Sequence, residues 1–313
     1  MLPFARGVEV LKVDANGLLA LFKPAGILAH PNPQEWNKTV IPSLIRAPYC
    51  FENESYRIKA NPNDTEETPL WLLHRLDSAT SGVILASTNK EVAEAVKLEL
   101  KRRNVVKHYT ALVFNNFISS NKSSNQNIIR KPFHWRDDMF VEKKEGMLRA
   151  LSLSRSQGNG YVTAESIAQI MSYQKYPYWE KEKPNYSLML MDLQPLTGYT
   201  HQLRYQSAQH NYPIVGDRTY GDFKANKQFK AHMNTHPFNY CDEVSLIEEN
   251  LDYINIKNKA IEKKKIPNRN HFNRLFLHAR KIELSYTLNG KKYDFTAEAS
   301  IPKTFDAAMK GKI

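Results

Sequence analysis

The sequence predicts an α+β protein with a core of its own, and three observations carry that expectation. The chain has 313 residues, of which 42% are hydrophobic, which argues against wholesale disorder. Short apolar stretches, some alternating at period two, recur between turn signals and read as strands. One segment, "NKEVAEAVKLELKRRN" at 89–104, repeats its apolar residues at helical spacing instead.

Taken in order, "VEVLKV" (8–13) and "LLALFK" (18–23) read as two strands joined by the turn "DANG". "KPAGILAHP" follows as a loop punctuated by Pro24, Gly26 and Pro31. Residues 50–69 are polar and predict a surface loop. "GVILAST" (82–88) reads as a strand leading into the helix at 89–104. There Val92, Ala93, Val96 and Leu100 form the buried stripe, Thr88 or Asn89 the cap, and Lys97, Lys101, Arg102 and Arg103 the outer face. "HYTALVF" (108–114) is strand-like, and "NNFISSNKSSNQN" is a loop. "SLMLMDLQP" (187–195) alternates as a half-buried strand. "THQLRYQSAQHN" (200–211) reads as a helix stopped before Pro213. Residues 222–273, rich in Lys and Asn, read as an insertion between core elements.

The formal charge is +12 and the pI about 9.4, which suggests a polyanionic partner. The two cysteines, Cys50 and Cys241, form no Cys-x-x-Cys, so zinc fingers and ribbons are excluded. The start "MLPFARGVEVLKVD" has no apolar signal region, and Glu9 and Asp14 argue against a transit peptide. No apolar run approaches the roughly 18 residues that a membrane span needs. These points lead to the expectation of a soluble protein of the cytoplasm; oligomeric state is not readable from them, and a monomer is the simplest assumption.

Four stretches concentrate reactive side chains: "HRLDSATSGVILAS" (74–87), Lys107-His108-Tyr109, "TGYTHQLR" (197–204) with "PIVGDRTYG" (213–221), and "LFLHARKIEL" (275–284). Taken singly, each has an ordinary explanation. Asp77 suits a turn, with Ser78 and Thr80 bonding the local backbone. Gly82 suits a positive φ or a close approach. His201 and Arg204, three residues apart, suit a pair on a helix surface. The ten histidines include no His-Glu-x-x-His zinc motif, and no glycine-rich phosphate loop occurs, so neither a metal nor a nucleotide cofactor is expected.

In their order, "LFKPAGILAHP", "HRLDSATSGVILAS", "KHYTALV", "TGYTHQLR", "PIVGDRTYG" and "FLHAR" resemble the motif series of the RluA-type pseudouridine synthases. The resemblance runs from about residue 18 to 221 and resumes at 275, closing with "IPKTF". It implies a mixed, largely antiparallel central sheet with flanking helices and loops. It also implies one catalytic domain over 1–313, with 222–273 inserted in it and no separate N-terminal RNA-binding domain.

The implied activity is isomerisation of uridine to pseudouridine in ribosomal or transfer RNA. The N-glycosidic bond breaks, the uracil turns, and a ring carbon bonds back to the ribose; nothing is oxidised, so no cofactor is demanded. By the resemblance Asp77 is the nucleophile or base, Arg204 the cation paired with it, and Tyr109 the ring that stacks on the flipped uracil. Arg75 is the residue that fills the vacated stack. His74, Lys107, Tyr199 and His201 join the RNA-binding surface. The family usually has Arg where this chain has Tyr199, which implies altered substrate contacts or a ring that stacks on a base. The rivals are an inactive RNA-binding relative and a hydrolase using Asp77 with His74 or His201.

Overall fold

A computed structural model describes residues 3–31, 43–59, 64–115, 131–144, 147–151, 161–174, 187–235 and 274–310. The described residues divide into two compact units. One holds 3–105 with Ala279–Ala299; the other holds 106–235 with 274–278 and 300–310.

The first unit is built from antiparallel hairpins. Strands β1 (Glu9–Val13) and β2 (Leu18–Lys23) pair across the predicted turn. Asp14 makes that turn. Its Oδ1 accepts the N–H groups of Asn16 and Leu18, both at 2.9 Å, and its Oδ2 accepts the Tyr286 hydroxyl. Burial, with Asp14 beside it, pushes the Tyr286 phenol up to about 12. Strands β3 (Tyr49–Cys50), β4 (Ser55–Ile58), β5 (Thr68–Leu72) and β6 (Ser81–Ser87) pair in sequence order or with β2. The strand β4 lies inside the stretch expected to be a surface loop, with Tyr56 buried and its hydroxyl donating to the Ala29 carbonyl at 2.7 Å. Its pairing with β3 and β5, not its own polar composition, decides its conformation.

The helix α1 (Lys90–Arg102) forms as its sequence predicts. Asn89 caps it, accepting the N–H groups of Glu91 and Val92, and Arg103 in the left-handed region ends it. Val92, Ala93 and Val96 are its buried stripe. They pack with Leu18, Val83, Leu85, Ile282, Leu284 and Phe295 in the core of this unit. Ile282 and Leu284 come from β12 (Leu277–Leu288) and Phe295 from β13 (Lys291–Glu298), which pair antiparallel.

The second unit carries an antiparallel ladder: β7 (Val106–Asn115), β11 (Ser187–Pro195), β10 (Tyr161–Gln174), β8 (Phe133–Lys144) and β9 (Met147–Leu151), in that spatial order. Helix α2 (Gln202–Gln209) follows the loop after β11. Helix α3 (Phe223–Thr235) opens the segment expected to be an insertion; residues 236–273 lie outside the described ones. Asp222 starts it by accepting the Ala225 N–H at 2.8 Å, and Phe229 packs on Phe114 and Phe276. Helix α4 (Lys303–Lys310) sets Phe305 against Phe276. The strand pairs named here are antiparallel, and runs of consecutive strands are set off by the helices, as the α+β expectation has it. No helix among the described residues is long and apolar enough to cross a membrane.

Candidate active site

Each unit presents its own group of the residues singled out in the sequence. In the first unit, Asp77 sits on the loop 74–80 that feeds β6. The Asp77 carbonyl accepts the Thr80 N–H at 3.0 Å, closing a turn. The next carbonyl, of Ser78, accepts the Gly26 N–H at 2.8 Å and the Lys23 ammonium at 3.1 Å. Lys23 has no solvent exposure, and its Nζ also donates to the carbonyls of Pro24 (3.1 Å) and Ile27 (2.8 Å). A buried ammonium has three protons to satisfy, and here three carbonyls from two loops satisfy them. The result is a loop whose backbone is clamped from behind.

Gly82, at the start of β6, has φ +121°, and a Cβ there would lie 2.2 Å from the Ala279 carbonyl oxygen. Both suggested reasons for this glycine, positive φ and close approach, therefore apply together. His74 is half-buried, and its Nε2 accepts the Leu85 N–H at 3.1 Å, which ties the loop to β6. Arg75 is exposed, with its Nη1 donating to His30 Nε2 at 2.8 Å.

In the second unit, Lys107 and Tyr109 stand on one face of β7 and His108 on the other, as strand alternation requires. His108 Nδ1 lies 2.9 Å from Asp192 Oδ2 on the paired strand β11. The strand is fully buried from Thr110 onward, so Lys107 and Tyr109 occupy its open end. Burial holds the Lys107 ammonium below the usual lysine range.

The loop 197–201 and α2 form the other part of this unit's site. His201 adopts φ +59° at the helix start. Gln202 and Gln206, four residues apart, face β10 and anchor the helix with side-chain bonds. Gln202 Oε1 accepts from the Thr197 hydroxyl (2.7 Å) and the Tyr199 N–H (3.1 Å); its Nε2 donates to the Glu165 carbonyl (2.9 Å) and Ser166 Oγ (3.0 Å). Gln206 Oε1 accepts the Ser166 hydroxyl (2.7 Å), and its Nε2 donates to Asp137 Oδ2 (2.7 Å). A fully satisfied buried network of this kind fixes one arrangement of its members.

Arg204 lies on the same helix and is buried. Its Nε and Nη2 donate to the two oxygens of Asp217 at 2.7 and 2.9 Å, and Nη2 reaches Thr219 Oγ1 at 3.3 Å. Its guanidinium also lies over the Tyr220 ring, 5.4 Å from the centroid. Burial pushes the Asp217 carboxyl up, but the Arg204 guanidinium and the N–H groups of Tyr220 and Thr219 outweigh it and hold it below the usual range.

Asp217 was not among the residues expected at the site, although "PIVGDRTYG" was singled out. Its signal was the Gly-Asp pair. Gly216 has φ +80°, and a Cβ there would fall 1.8 Å from the Arg274 carbonyl oxygen. The neighbouring Asn226 of α3 accepts the Gly216 N–H at 2.7 Å and donates to the Asp217 carbonyl at 3.1 Å. His201 and Arg204 both gather around Tyr220, with His201 Nδ1 3.1 Å from its hydroxyl. Tyr199 packs beside Met139, Ala164 and Tyr205.

Fold and side chains together define an α+β protein whose polar, charged residues collect on loops and strand ends held by buried networks. The model of the RNA pseudouridylate synthase family matches residues 17–209. The ribosomal large subunit pseudouridine synthase D of Borreliella burgdorferi is 28% identical over 214 residues, covering 68% of this chain and 55% of that protein. The tRNA pseudouridine synthase C of Pasteurella multocida is 28% identical over 225 residues, covering 72% of this chain and 79% of that one. Among solved structures, human RNA pseudouridylate synthase domain containing 1 matches with a TM-score of 0.55 at 17% identity, over 97% of this chain and 88% of that one. Human RNA pseudouridylate synthase domain containing 4 matches at 0.52 and 20%, over 96% and 91%. These two share the fold. The chain belongs to the RNA pseudouridylate synthase family.

Proposed function

We propose that this protein isomerises specific uridines to pseudouridine in structured RNA, ribosomal or transfer. The observation that carries the reading is the match of the family model across 17–209, which contains Asp77, Tyr109 and Arg204 together. In the reaction the bond from N1 to the ribose C1′ breaks and one from C5 to C1′ forms. The C5 hydrogen leaves as a proton and N1 gains one, so atoms and electrons balance without a cofactor.

In this reading Asp77 is the ionised carboxylate that attacks the sugar or takes the proton. A clamped loop backbone suits that work, because aim matters more than reach. Arg204 is its cation, and the two-point grip of Asp217 fixes the guanidinium plane. Tyr109 stacks on the uracil. Arg75, Lys107 and His201 meet the RNA, whose target base must leave its stack. Tyr199 adds ring surface where the family usually has Arg. The reading makes the two units one catalytic domain, gives the basic segment 222–273 a share of phosphate contact, and places a monomer in the cytoplasm with its RNA.

The test is release of tritium from RNA carrying [5-³H]uridine, with pseudouridine mapping in cells that have or lack the protein. Asp77→Asn should reduce release by a factor of about 10³ or more while RNA binding stays within about threefold. Equal release by the variant and the parent would remove the carboxylate from the chemistry. Free uracil as product would make the protein a hydrolase.

A further inference from the structure

The residues His30, Tyr49 and Phe51 of the first unit make an aromatic corner that the isomerisation does not use. The His30 ring stacks on Tyr49 with centroids 5.2 Å apart and planes 12° from parallel. Phe51, partly exposed, meets both rings edge-on at 6.1 and 5.1 Å. Tyr56 closes the back, its ring 4.8 Å from Tyr49 and its hydroxyl on the carbonyl of Ala29, next to His30. The imidazole plane is thereby set.

Its two nitrogens have partners of opposite kinds. Nδ1 lies 2.8 Å from the Pro31 carbonyl, which only accepts. Nε2 lies 2.8 Å from Arg75 Nη1, which only donates. Both bonds exist together only if the proton is on Nδ1 and Nε2 is bare. His30 is therefore a neutral imidazole, and its lone pair holds one edge of the Arg75 guanidinium. A guanidinium has five N–H donors, so one held edge leaves its plane defined and the rest of it presentable.

We propose that His30 is a positioning residue for Arg75: a ring-nitrogen acceptor, present only in the neutral imidazole, that orients the guanidinium toward RNA. The proposal rests on the reading of Arg75 as an RNA contact. Protonating Nε2 turns the acceptor into a donor and sets two cations against each other, so acid releases the arginine. The groups facing His30 are consistent with a neutral ring. Burial lowers its pKa most and Arg75 lowers it further. The Pro31 carbonyl and Glu54 oppose them, and Glu54 is itself bound to Lys97 at 2.7 Å. Burial keeps the Tyr49 phenol neutral.

Two measurements test this. The first follows the His30 ring protons by NMR through a pH titration of the free protein. Arg75→Met should raise the His30 midpoint by about half a unit or more, because it removes both the bond to the neutral form and the repelling charge. An unmoved midpoint overturns the latch whatever RNA binding does.

The second measures the affinity for labelled bulk transfer RNA by fluorescence anisotropy, at about pH 8 and at a pH about one unit below the His30 midpoint that the titration gives. The quantity is the cost of Arg75→Met in three backgrounds. With His30 intact the cost should be about fivefold at the higher pH and shrink toward nothing at the lower. In His30→Ala it should be small at both. In His30→Gln, whose amide oxygen accepts but does not titrate, it should be about fivefold at both. Equal cost in all three backgrounds overturns the positioning role. No cost in any background removes Arg75 from the RNA, and the positioning role falls with that reading while the titration still reports on the latch. Should His30→Ala not fold, His30→Gln and the Arg75→Met titration decide alone.

Discussion

The loop around Asp77 and the loops around Arg204 are held by opposite means. In the first unit the bonds fall mainly on the loop's backbone: the carbonyls of Asp77 and Ser78 accept, the Gly26 N–H and the Lys23 ammonium donate, and His74 adds one side-chain bond. In the second they run through side chains: Gln202, Gln206, Asp217 and Asn226. A backbone-clamped loop holds its course largely independently of the side chain that does the chemistry. A side-chain network ties function to stability, so a residue that serves one serves both. In this protein Asp77 should be more separable from folding than Arg204, because the guanidinium keeps its two-point grip on Asp217 when Asp77 is changed.

The largest effect that would break the comparison is at Asp217. Asp217→Asn leaves a buried guanidinium short of its anion, which costs about 3–5 kcal/mol. We expect loss of thermal stability and of activity together, with Asp77→Asn losing activity at a much smaller cost in stability. The folded pKa of Asp217 is depressed, so its contribution is fully present above the ordinary carboxyl value of 3.8. It is lost as pH falls through the lower folded value. Acid unfolding curves should show this slope in the parent and a flatter one in Asp217→Asn. Equal slopes would mean that the pair contributes nothing to folding.

Next comes Lys23. Lys23→Met removes the donor for three carbonyls, two of them fully buried with it, at about 2–4 kcal/mol. Activity should fall with stability here too, but by loosening the aim of Asp77. The sharper readout is kcat, which should drop more than KM rises. A variant as stable as the parent would show that the clamp is decoration, and the contrast between the two regions would lose its first half.

Much of this was legible in the sequence where the deciding contacts are local. The stripe Val92, Ala93 and Val96 with its Asn89 cap announces α1, and the alternation of "SLMLMDLQP" announces β11. The motifs bring Asp77, Tyr109 and Arg204 to notice. What was not legible depends on distant partners. Ser55–Ile58 is too short and polar to read as a strand, and only its neighbours β3 and β5 make it one. Lys23 reads as an ordinary lysine at a strand end, because nothing in its neighbourhood reveals that Ser78, 55 residues on, will offer it a carbonyl. The Asp217–Arg204 pair spans a turn fixed by Gly216 against Arg274, which no spacing rule encodes.

The smallest effect sharpens the comparison at Tyr199, where side chain and backbone roles coexist in one residue. Its N–H is accepted by Gln202, so the backbone of the loop belongs to the network and survives substitution. Its ring is half-buried beside Met139, Ala164 and Tyr205, so it behaves as packing. Tyr199→Phe keeps the ring and should change stability by less than about 0.5 kcal/mol; Tyr199→Ala should cost about 1–2 kcal/mol. If the ring also stacks on an RNA base, Tyr199→Phe preserves affinity while Tyr199→Ala weakens it by about fivefold or more, beyond what the lost stability explains. Thermal melts and RNA titrations on the same two variants separate packing from recognition, because only recognition changes affinity at temperatures where both variants are fully folded.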